Sequence, residues 1–205
     1  MKAKLQKILL ATVAGASLLS GCAPLVVGGA VMGVMVAVDR RTSGTQLEDE
    51  NIELKVASAV GKELGERVHL NVTSYNRRVL LTGEARSEAD RSRATLLAQS
   101  QENVKDVIND LAIGVPSSVS QRTKDVVTSG QVKAAFVDAK DLQASAVKVV
   151  TERGNVYLMG RVTAREAQRA TDIARGISGV SKVVRVFEEI SEQELQRLSQ
   201  PPLSR

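Results

Sequence analysis

Few side chains in this chain of 205 residues have types and spacings suited to catalysis. His69 is the only histidine and Cys22 the only cysteine, and no metal-ligand cluster, nucleophile motif or phosphate-binding glycine loop accompanies them. Glu188 and Glu189 are paired carboxylates, but adjacent residues of a strand point to opposite faces of a sheet, so the two would not converge on one substrate. The sequence therefore predicts a structural histidine and a protein that is not an enzyme.

Cys22 follows a segment with the order of a secretory signal. Three lysines precede an apolar core at residues 8–19, and small residues come next. The run Leu19-Ser20-Gly21-Cys22 resembles the lipobox of bacterial lipoproteins. The resemblance implies cleavage before Cys22 and attachment of a diacylglyceryl group to its sulfur; no cofactor is expected apart from this covalent lipid. The alternative is an ordinary buried thiol. Removal of residues 1–21 lowers the formal net charge from +5 to +2.

Residues 22–46 are predicted to be an acylated apolar tether and linker. The apolar run at 24–38 has 15 residues, fewer than the roughly 20 that a helix needs to cross the hydrocarbon core. Residue 23 is Ala rather than Asp. By resemblance to lipoproteins of Gram-negative bacteria, this residue implies transport to the outer membrane. We expect a lipid-anchored protein on its periplasmic side.

Two stretches of the chain are nearly the same, 77 positions apart. Residues 74–83 read SYNRRVLLTG, and residues 151–160 read TERGNVYLMG. In both, apolar residues alternate with polar ones on either side of a short polar turn. The pattern predicts a duplicated β-hairpin with one buried face.

Helical patterns flank both hairpins. Apolar residues recur at helical spacing before each hairpin and again after it, and a closing strand follows. The sequence predicts an α+β fold of two tandem modules, each a small α/β sandwich (helix-strand-strand-helix-strand) with two helices on a three-stranded mixed sheet. We place the modules at residues 47–114 and 123–190, with turn chemistry at 115–118 and a C-terminal tail at 191–205.

The second copy carries residues of a known family. Gly154, Leu158, Gly160 and the run GVSKVV at 179–184 resemble the BON domain, a module of exported bacterial proteins, and the resemblance extends over both copies. The first copy fits less well, since Asn103 stands where the second has Gly179. With the lipobox, the chain is similar to outer-membrane lipoproteins that carry two BON domains. The resemblance implies a non-enzymatic protein that contacts phospholipid and supports outer-membrane integrity.

The same resemblance places contact with anionic phospholipid on the first helix of the second BON domain. Phosphatidylglycerol and cardiolipin are the expected ligands. The expected contact residues are Lys124, Val126, Val127, Gln131, Lys133, Ala134 and Val137. An aromatic residue that the family has near the start of this helix is Val127 here. The alternative is that Val132, Ala135 and Phe136 are core residues and the remainder is an ordinary exposed face.

Two other partners follow from the residues alone. Arginines after the second hairpin suggest nucleic acid, but Glu166 and Asp172 lie among them, aromatic residues for base stacking are nearly absent and the chain is exported. We therefore expect a solvated helix face and no nucleic acid. These arginines are Arg161, Arg165, Arg169 and Arg175. The remaining alternative is a periplasmic scaffold that binds envelope proteins, such as peptidoglycan-remodelling factors.

Overall fold

The computed structural model describes residues 39–198. The predicted signal peptide, the lipidation site Cys22 and the apolar run at 24–38 lie outside the described residues, as does the chain from residue 199. Within residues 39–198 the order helix, strand, strand, helix, strand occurs twice. The predicted α+β fold of two tandem modules is confirmed.

The first module begins with a long helix. Its elements are α1 (Ser43–Leu64), β1 (Val68–Tyr75), β2 (Arg78–Ala85), α2 (Glu88–Gln99), β3 (Asp106–Asn109) and β4 (Ala112–Ile113). The Thr42 hydroxyl accepts a hydrogen bond from the Thr45 backbone N–H at 3.2 Å, which caps the first turn of α1. Residues 43–46, predicted to be linker, therefore belong to this helix.

The sheet of the first module has four strands instead of the predicted three. β1 pairs antiparallel with β2, and both β3 and β4 pair parallel with β2. The closing strand is interrupted because the Asn109 side-chain oxygen accepts a hydrogen bond from the Leu111 N–H at 3.0 Å. This local turn directs Leu111 into the core, where it is 2% exposed.

The second module repeats the first with an unbroken closing strand. Its elements are α3 (Val119–Asp138), β5 (Lys148–Glu152), β6 (Asn155–Val162), α4 (Ala164–Arg175) and β7 (Lys182–Glu189). β5 pairs antiparallel with β6, and β7 pairs parallel with β6 along its full length. The tail opens with a short helix, α5 (Glu192–Leu198).

Each module encloses its own apolar core between its sheet and its two helices. Val79 and Leu81 of β2 contribute to the first core, and Val156 and Leu158 of β6 contribute to the second. All four side chains are completely buried. The residues that match between the two copies of the sequence therefore perform the same packing role.

The two modules pack on each other through the outer faces of their sheets. Leu80, Tyr157 and Met159 are at most 1% exposed and form a third apolar cluster with Tyr75 and Val186. The predicted single buried face is therefore wrong for the hairpins. β2 and β6 are buried on both faces because each lies between its own helices and the sheet of the other module.

Polar contacts at opposite ends of β2 define how the sheets are arranged. Near the start of β2, the Arg78 guanidinium donates to the Phe187 carbonyl at 2.8 Å. Near its end, Glu84 accepts from Arg153 at 3.2 Å, beside the β5–β6 turn. β2 and β6 therefore run in opposite directions across the interface.

A buried aspartate holds each hairpin turn against the first helix of its module. In the second module, the two carboxylate oxygens of Asp125 accept from the backbone N–H groups of Arg153 (2.8 Å) and Gly154 (2.9 Å). Asp49 makes the same contacts to Asn76 and Arg77 in the first. The turn residues all have positive φ, between 51° and 76°. Asp125 thus fixes α3 relative to the β5–β6 turn.

Candidate membrane-contact surface

The seven residues predicted to contact phospholipid all lie on α3, and all are exposed. The core face of α3 consists of Asp125, Thr128, Val132 and Phe136. Val126 is 72% exposed and Val137 73%, although both are purely apolar. The core residues and the predicted contact residues therefore occupy different faces of the same helix.

The exposed face of α3 carries a continuous stripe without charge. At 100° per residue, the residues that point directly away from the core follow one another along the whole helix. We define the α3 stripe as Val119, Thr123, Val126, Val127, Gly130, Ala134 and Val137, all of which are exposed. Val119, Thr123 and Gly130 are not among the predicted contact residues, although their helical spacing relative to Val126 and Val137 could have identified them.

Cations flank the α3 stripe. Lys133 and Arg122 lie along one side of it, and Lys124 lies along the other. Within residues 39–198 the side chains of these three have no ion-pair partner. Asp125, between them in sequence, is buried against the hairpin turn and is 4% exposed. An apolar stripe between unneutralised cations is the arrangement of a helix that lies on an anionic membrane surface.

The corresponding helix of the first module has a different surface. Because Asp49 and Asp125 have the same role, α1 and α3 can be compared at an offset of 76 positions. Glu48 and Glu50 stand where α3 has Lys124 and Val126. α1 does expose Leu54, at 71%, but Glu50 and Glu53 lie near it and the adjacent Lys55 is paired with Glu102. Charge therefore distinguishes the two modules as membrane-contact candidates.

The arginines of the second module that suggested nucleic acid are paired with carboxylates. Arg165 and Arg175 approach Glu192 and Asp172, and Arg169 pairs with Asp141 at 2.8 Å. Arg161 contacts Glu188 and Glu194. These pairs neutralise much of the positive charge on α4, in contrast to α3.

Two clefts border α3, one on each side. The first, of about 490 Å³, lies between α3, the β5–β6 turn and the loop before β7, with Lys124 and Arg153 in its wall. The second, of about 560 Å³, lies on the side of Lys133 and extends to Asn71 of the first module. The helix therefore stands out from the surface with an open space along each flank.

His69 and the paired glutamates have structural partners. His69 Nδ1 lies 3.0 Å from Glu84 Oε2, and Glu84 is 1% exposed. Glu188 and Glu189 bind different arginines, Arg161 and Arg185, as expected for strand residues on opposite faces. Among the described residues, no group of three or more His, Cys, Asp or Glu side chains is arranged to hold a metal ion.

Glu152 is a titratable group in the wall of the second cleft. It lies where the modules meet and accepts a hydrogen bond from Asn71 at 2.8 Å. Burial raises the pKa of Glu152, and the nearby carboxylates of Glu84 and Asp125 act in the same direction, while the Asn71 hydrogen bond opposes them. Ionisation of Glu152 is therefore less favourable between the modules than in water.

Comparison with protein families identifies the class of both modules. The family model of the BON domain matches residues 48–114 and again 124–189. The chain belongs to the BON-domain family and carries two copies of the domain. The resemblance drawn from the second hairpin and the GVSKVV run is confirmed.

Two relatives match most of the chain in sequence. The chain is 43% identical over 182 residues to outer membrane lipoprotein DolP of Haemophilus influenzae. The aligned region covers 87% of this chain and 94% of the relative. It is 35% identical over 152 residues to the 21 kDa hemolysin of Actinobacillus pleuropneumoniae, covering 73% of this chain and 78% of the relative.

A structural protein of the type III secretion system of Chlamydia trachomatis, CdsD, aligns with 74% of this chain and 99% of its own at 13% identity. Its TM-score of 0.30 is too low to support a conclusion. None of the helices within residues 39–198 is long and apolar enough to cross a bilayer.

Proposed function

We propose that this protein is a lipoprotein of the outer membrane, acylated at Cys22 and facing the periplasm. Its second BON domain binds anionic phospholipid, such as phosphatidylglycerol or cardiolipin, and in this way it supports outer-membrane integrity. It acts by binding and not by catalysis. The name and the 43% identity of the Haemophilus influenzae relative support the location. The observation that supports the ligand is the α3 stripe with its flanking cations.

Both components of the α3 surface favour a membrane. The apolar side chains of the stripe gain free energy on leaving water, at roughly 25 cal/mol per Å² of apolar area. Each cation near an anionic surface contributes about 1 kcal/mol more. The diacylglyceryl group expected on Cys22 would keep the protein at the membrane, so that even a weak protein surface acts at a high effective concentration of lipid.

Partitioning of a fragment without the covalent lipid tests the surface. The fragment should contain residues 37–205, because the described residues 39–198 lie in one compact unit. It should retain Arg40, whose side chain is buried against Glu166, and the whole of α1. We expect it to co-sediment with vesicles that contain phosphatidylglycerol or cardiolipin, but not with phosphatidylcholine alone.

Variants assign the binding to α3. Val126→Asp with Val127→Asp should weaken binding about tenfold or more, since two apolar contacts are replaced by repelling charges. Lys133→Glu should weaken it less. Leu54→Asp, at an equally exposed position of α1, is the matched control and should have no effect. Lack of binding by the unsubstituted fragment to either anionic lipid would contradict the proposed ligand.

Two further measurements address the anchor and the scaffold alternative. Incorporation of radioactive palmitate that disappears in Cys22→Ala tests acylation independently of α3. In-cell crosslinking that captures one protein partner, and is unchanged by Val126→Asp with Val127→Asp, would favour the scaffold over the lipid-binding role.

A further inference from the structure

The first cleft beside α3 brings basic side chains together with hydroxyl groups. Lys124 comes from α3, Arg153 from the β5–β6 turn, and Ser178 and Ser181 from the loop before β7. We propose that this cleft is a binding site for a phosphate group, occupied by the headgroup phosphate of an anionic phospholipid. This proposal rests on the proposed function, from which it takes phospholipid as the source of the phosphate. It goes beyond that function because it assigns residues outside α3 to the site.

Two cationic groups in the cleft are available to an anion, and the Asp125 carboxylate, which also lines it, is bound to the backbone of the β5–β6 turn. Lys124 has no ion-pair partner among the described residues. The Arg153 guanidinium donates to Glu84 at 3.2 Å, yet its side chain remains 45% exposed. The remaining N–H groups of Arg153 are free to donate to phosphate oxygens, and arginine suits such planar, multiple contacts. Because Glu84 belongs to the first module, that module orients one of the two cations.

Glycines keep the floor of the cleft open. Gly154 and Gly179 have φ of 76° and 89°. A Cβ atom at Gly154 would lie 2.8 Å from the Ser181 hydroxyl, and one at Gly179 would lie 3.2 Å from the Thr128 hydroxyl. Both glycines therefore allow the turn, the loop and α3 to approach closely without filling the space above them.

In the first module, side chains bridge the equivalent space. Arg77 and Asn103 occupy the positions of Gly154 and Gly179, with φ of 69° and 67°. The Arg77 guanidinium donates to the Asn103 side-chain oxygen at 2.9 Å, and the Asn103 amide donates to Glu48 at 2.8 Å. Glu48 corresponds to Lys124.

The two modules thus differ at three positions of one site. Where the first module has a hydrogen-bonded bridge that ends in a carboxylate, the second has two glycines and a lysine. The same backbone accommodates both arrangements, because the turn and the loop are joined by the same hydrogen bond in each: Lys105 N–H to the Arg77 carbonyl, and Ser181 N–H to the Gly154 carbonyl. The open, cationic cleft is therefore specific to the second module.

The position of the cleft favours a phospholipid over free phosphate. Thr123 and Val127 belong to the α3 stripe and also line the cleft. An anion held by Lys124 and Arg153 would therefore lie beside the residues that we propose contact the membrane. This is the depth at which headgroup phosphates are found when an amphipathic helix rests at the interface.

The test transfers the bridge of the first module into the second. The variant combines Lys124→Glu, Gly154→Arg and Gly179→Asn in the full acylated chain, purified in a non-ionic detergent. We expect the variant to fold, because the first module holds the same three residues at similar φ, and the new Cβ atom at residue 154 requires only that the Ser181 hydroxyl move aside. Lys62→Glu, an exposed lysine of α1, is the control for the added negative charge.

The probes are short-chain phosphatidylglycerol, short-chain phosphatidylcholine, glycerol 3-phosphate and inorganic phosphate, followed by NMR of the Ser178, Ser181 and Val127 amides. We expect saturable shifts with short-chain phosphatidylglycerol and an affinity about tenfold or more lower in the triple variant, since charge-assisted contacts are lost. Weaker displacement by glycerol 3-phosphate and inorganic phosphate supports a lipid source. Equal affinity for all three anions would overturn the lipid source.

Unchanged titration of the triple variant would overturn the cleft site. The proposed function would then still stand if Val126→Asp with Val127→Asp abolished partitioning of the 37–205 fragment into anionic vesicles. Failure of that fragment to partition at all, with no titration by any probe, would overturn both. Loss of titration in the Lys62→Glu control would also overturn the site, since it would show that net charge alone decides binding.

Discussion

Arg40 and Glu166 form a buried ion pair between the first of the described residues and the second BON domain. Two guanidinium nitrogens of Arg40 donate to the two carboxylate oxygens at 2.7 and 2.8 Å, and both side chains are at most 5% exposed. Glu166 also accepts from the Thr163 N–H in the capping box of α4. The next residue, Arg41, binds Asp49 of the first domain at 2.8 Å. The segment just after the apolar run therefore holds the two domains together.

Loss of Arg40 should destabilise the pair of packed BON domains. Arg40→Ala leaves a buried carboxylate without its partner, so we expect the free energy of unfolding to fall by about 3 kcal/mol or more. Urea unfolding of the 37–205 fragment measures the change. Arg165→Ala removes an exposed arginine 4.0 Å from its carboxylate and should cost less than about 0.5 kcal/mol. A similar small effect of both substitutions would contradict the role of the pair.

The same pair should make stability depend on pH. Burial alone would raise the pKa of Glu166, but hydrogen bonds from Arg40 and the Thr163 backbone, with the charge of Arg40, outweigh it and lower the pKa below its usual value of 4.5. A carboxyl whose pKa is lower in the folded state stabilises the protein above the unfolded pKa, and this contribution is lost as the pH falls through the folded pKa. Unfolding at pH values from 7 to 3 should show a steeper acid loss in the unsubstituted fragment than in Arg40→Met. Parallel pH profiles of the two would contradict this prediction.

Removal of Asp125 should release the β5–β6 turn. Asp125→Ala leaves two backbone N–H groups without acceptors, and we expect a loss of about 2–4 kcal/mol in unfolding free energy. Asp125→Asn keeps one acceptor oxygen and should have an intermediate effect. Asp172→Ala, an exposed carboxylate of α4, is the control. Amide hydrogen exchange at Arg153 and Gly154 gives a local readout, and unchanged protection there in Asp125→Ala would argue against the contact.

Close backbone contacts at two matching glycines should tolerate no side chain. A Cβ atom at Gly83 would lie 2.1 Å from the His69 carbonyl oxygen, and one at Gly160 would lie 2.2 Å from that of Ala146. Gly83→Ala and Gly160→Ala should each lower stability by about 3 kcal/mol, since backbone must shift. Gly61→Ala, inside α1 with open space around it, should instead raise stability by about 0.5–1 kcal/mol. Thermal unfolding of the three variants measures these changes in stability. Equal effects of all three substitutions would refute the predicted close contacts at Gly83 and Gly160.

Much of the fold could be predicted from the sequence because the patterns that specify it are local. Apolar periodicity at the two hairpins and their flanking helices, such as Val79 with Leu81 and Val156 with Leu158, predicts both the elements and the cores. The order of charge, apolar core and cysteine around Cys22 predicts export and acylation in the same way. The seven contact residues on α3 were predicted from family resemblance, and the lipid contact itself stays a prediction.

What only the tertiary structure decided involves residues far apart in the chain. Packing of the two sheets through Leu80 and Met159 buries the hairpins on both faces. No local sequence pattern shows that these two sheet faces contact each other. The Arg40–Glu166 pair spans 126 positions, and the cleft joins Lys124 to a turn and a loop of the same module. Periodicity reports which residues avoid water, since that preference is repeated along each element. Which buried surfaces meet, and which cations remain without partners, depends on how the chain closes on itself.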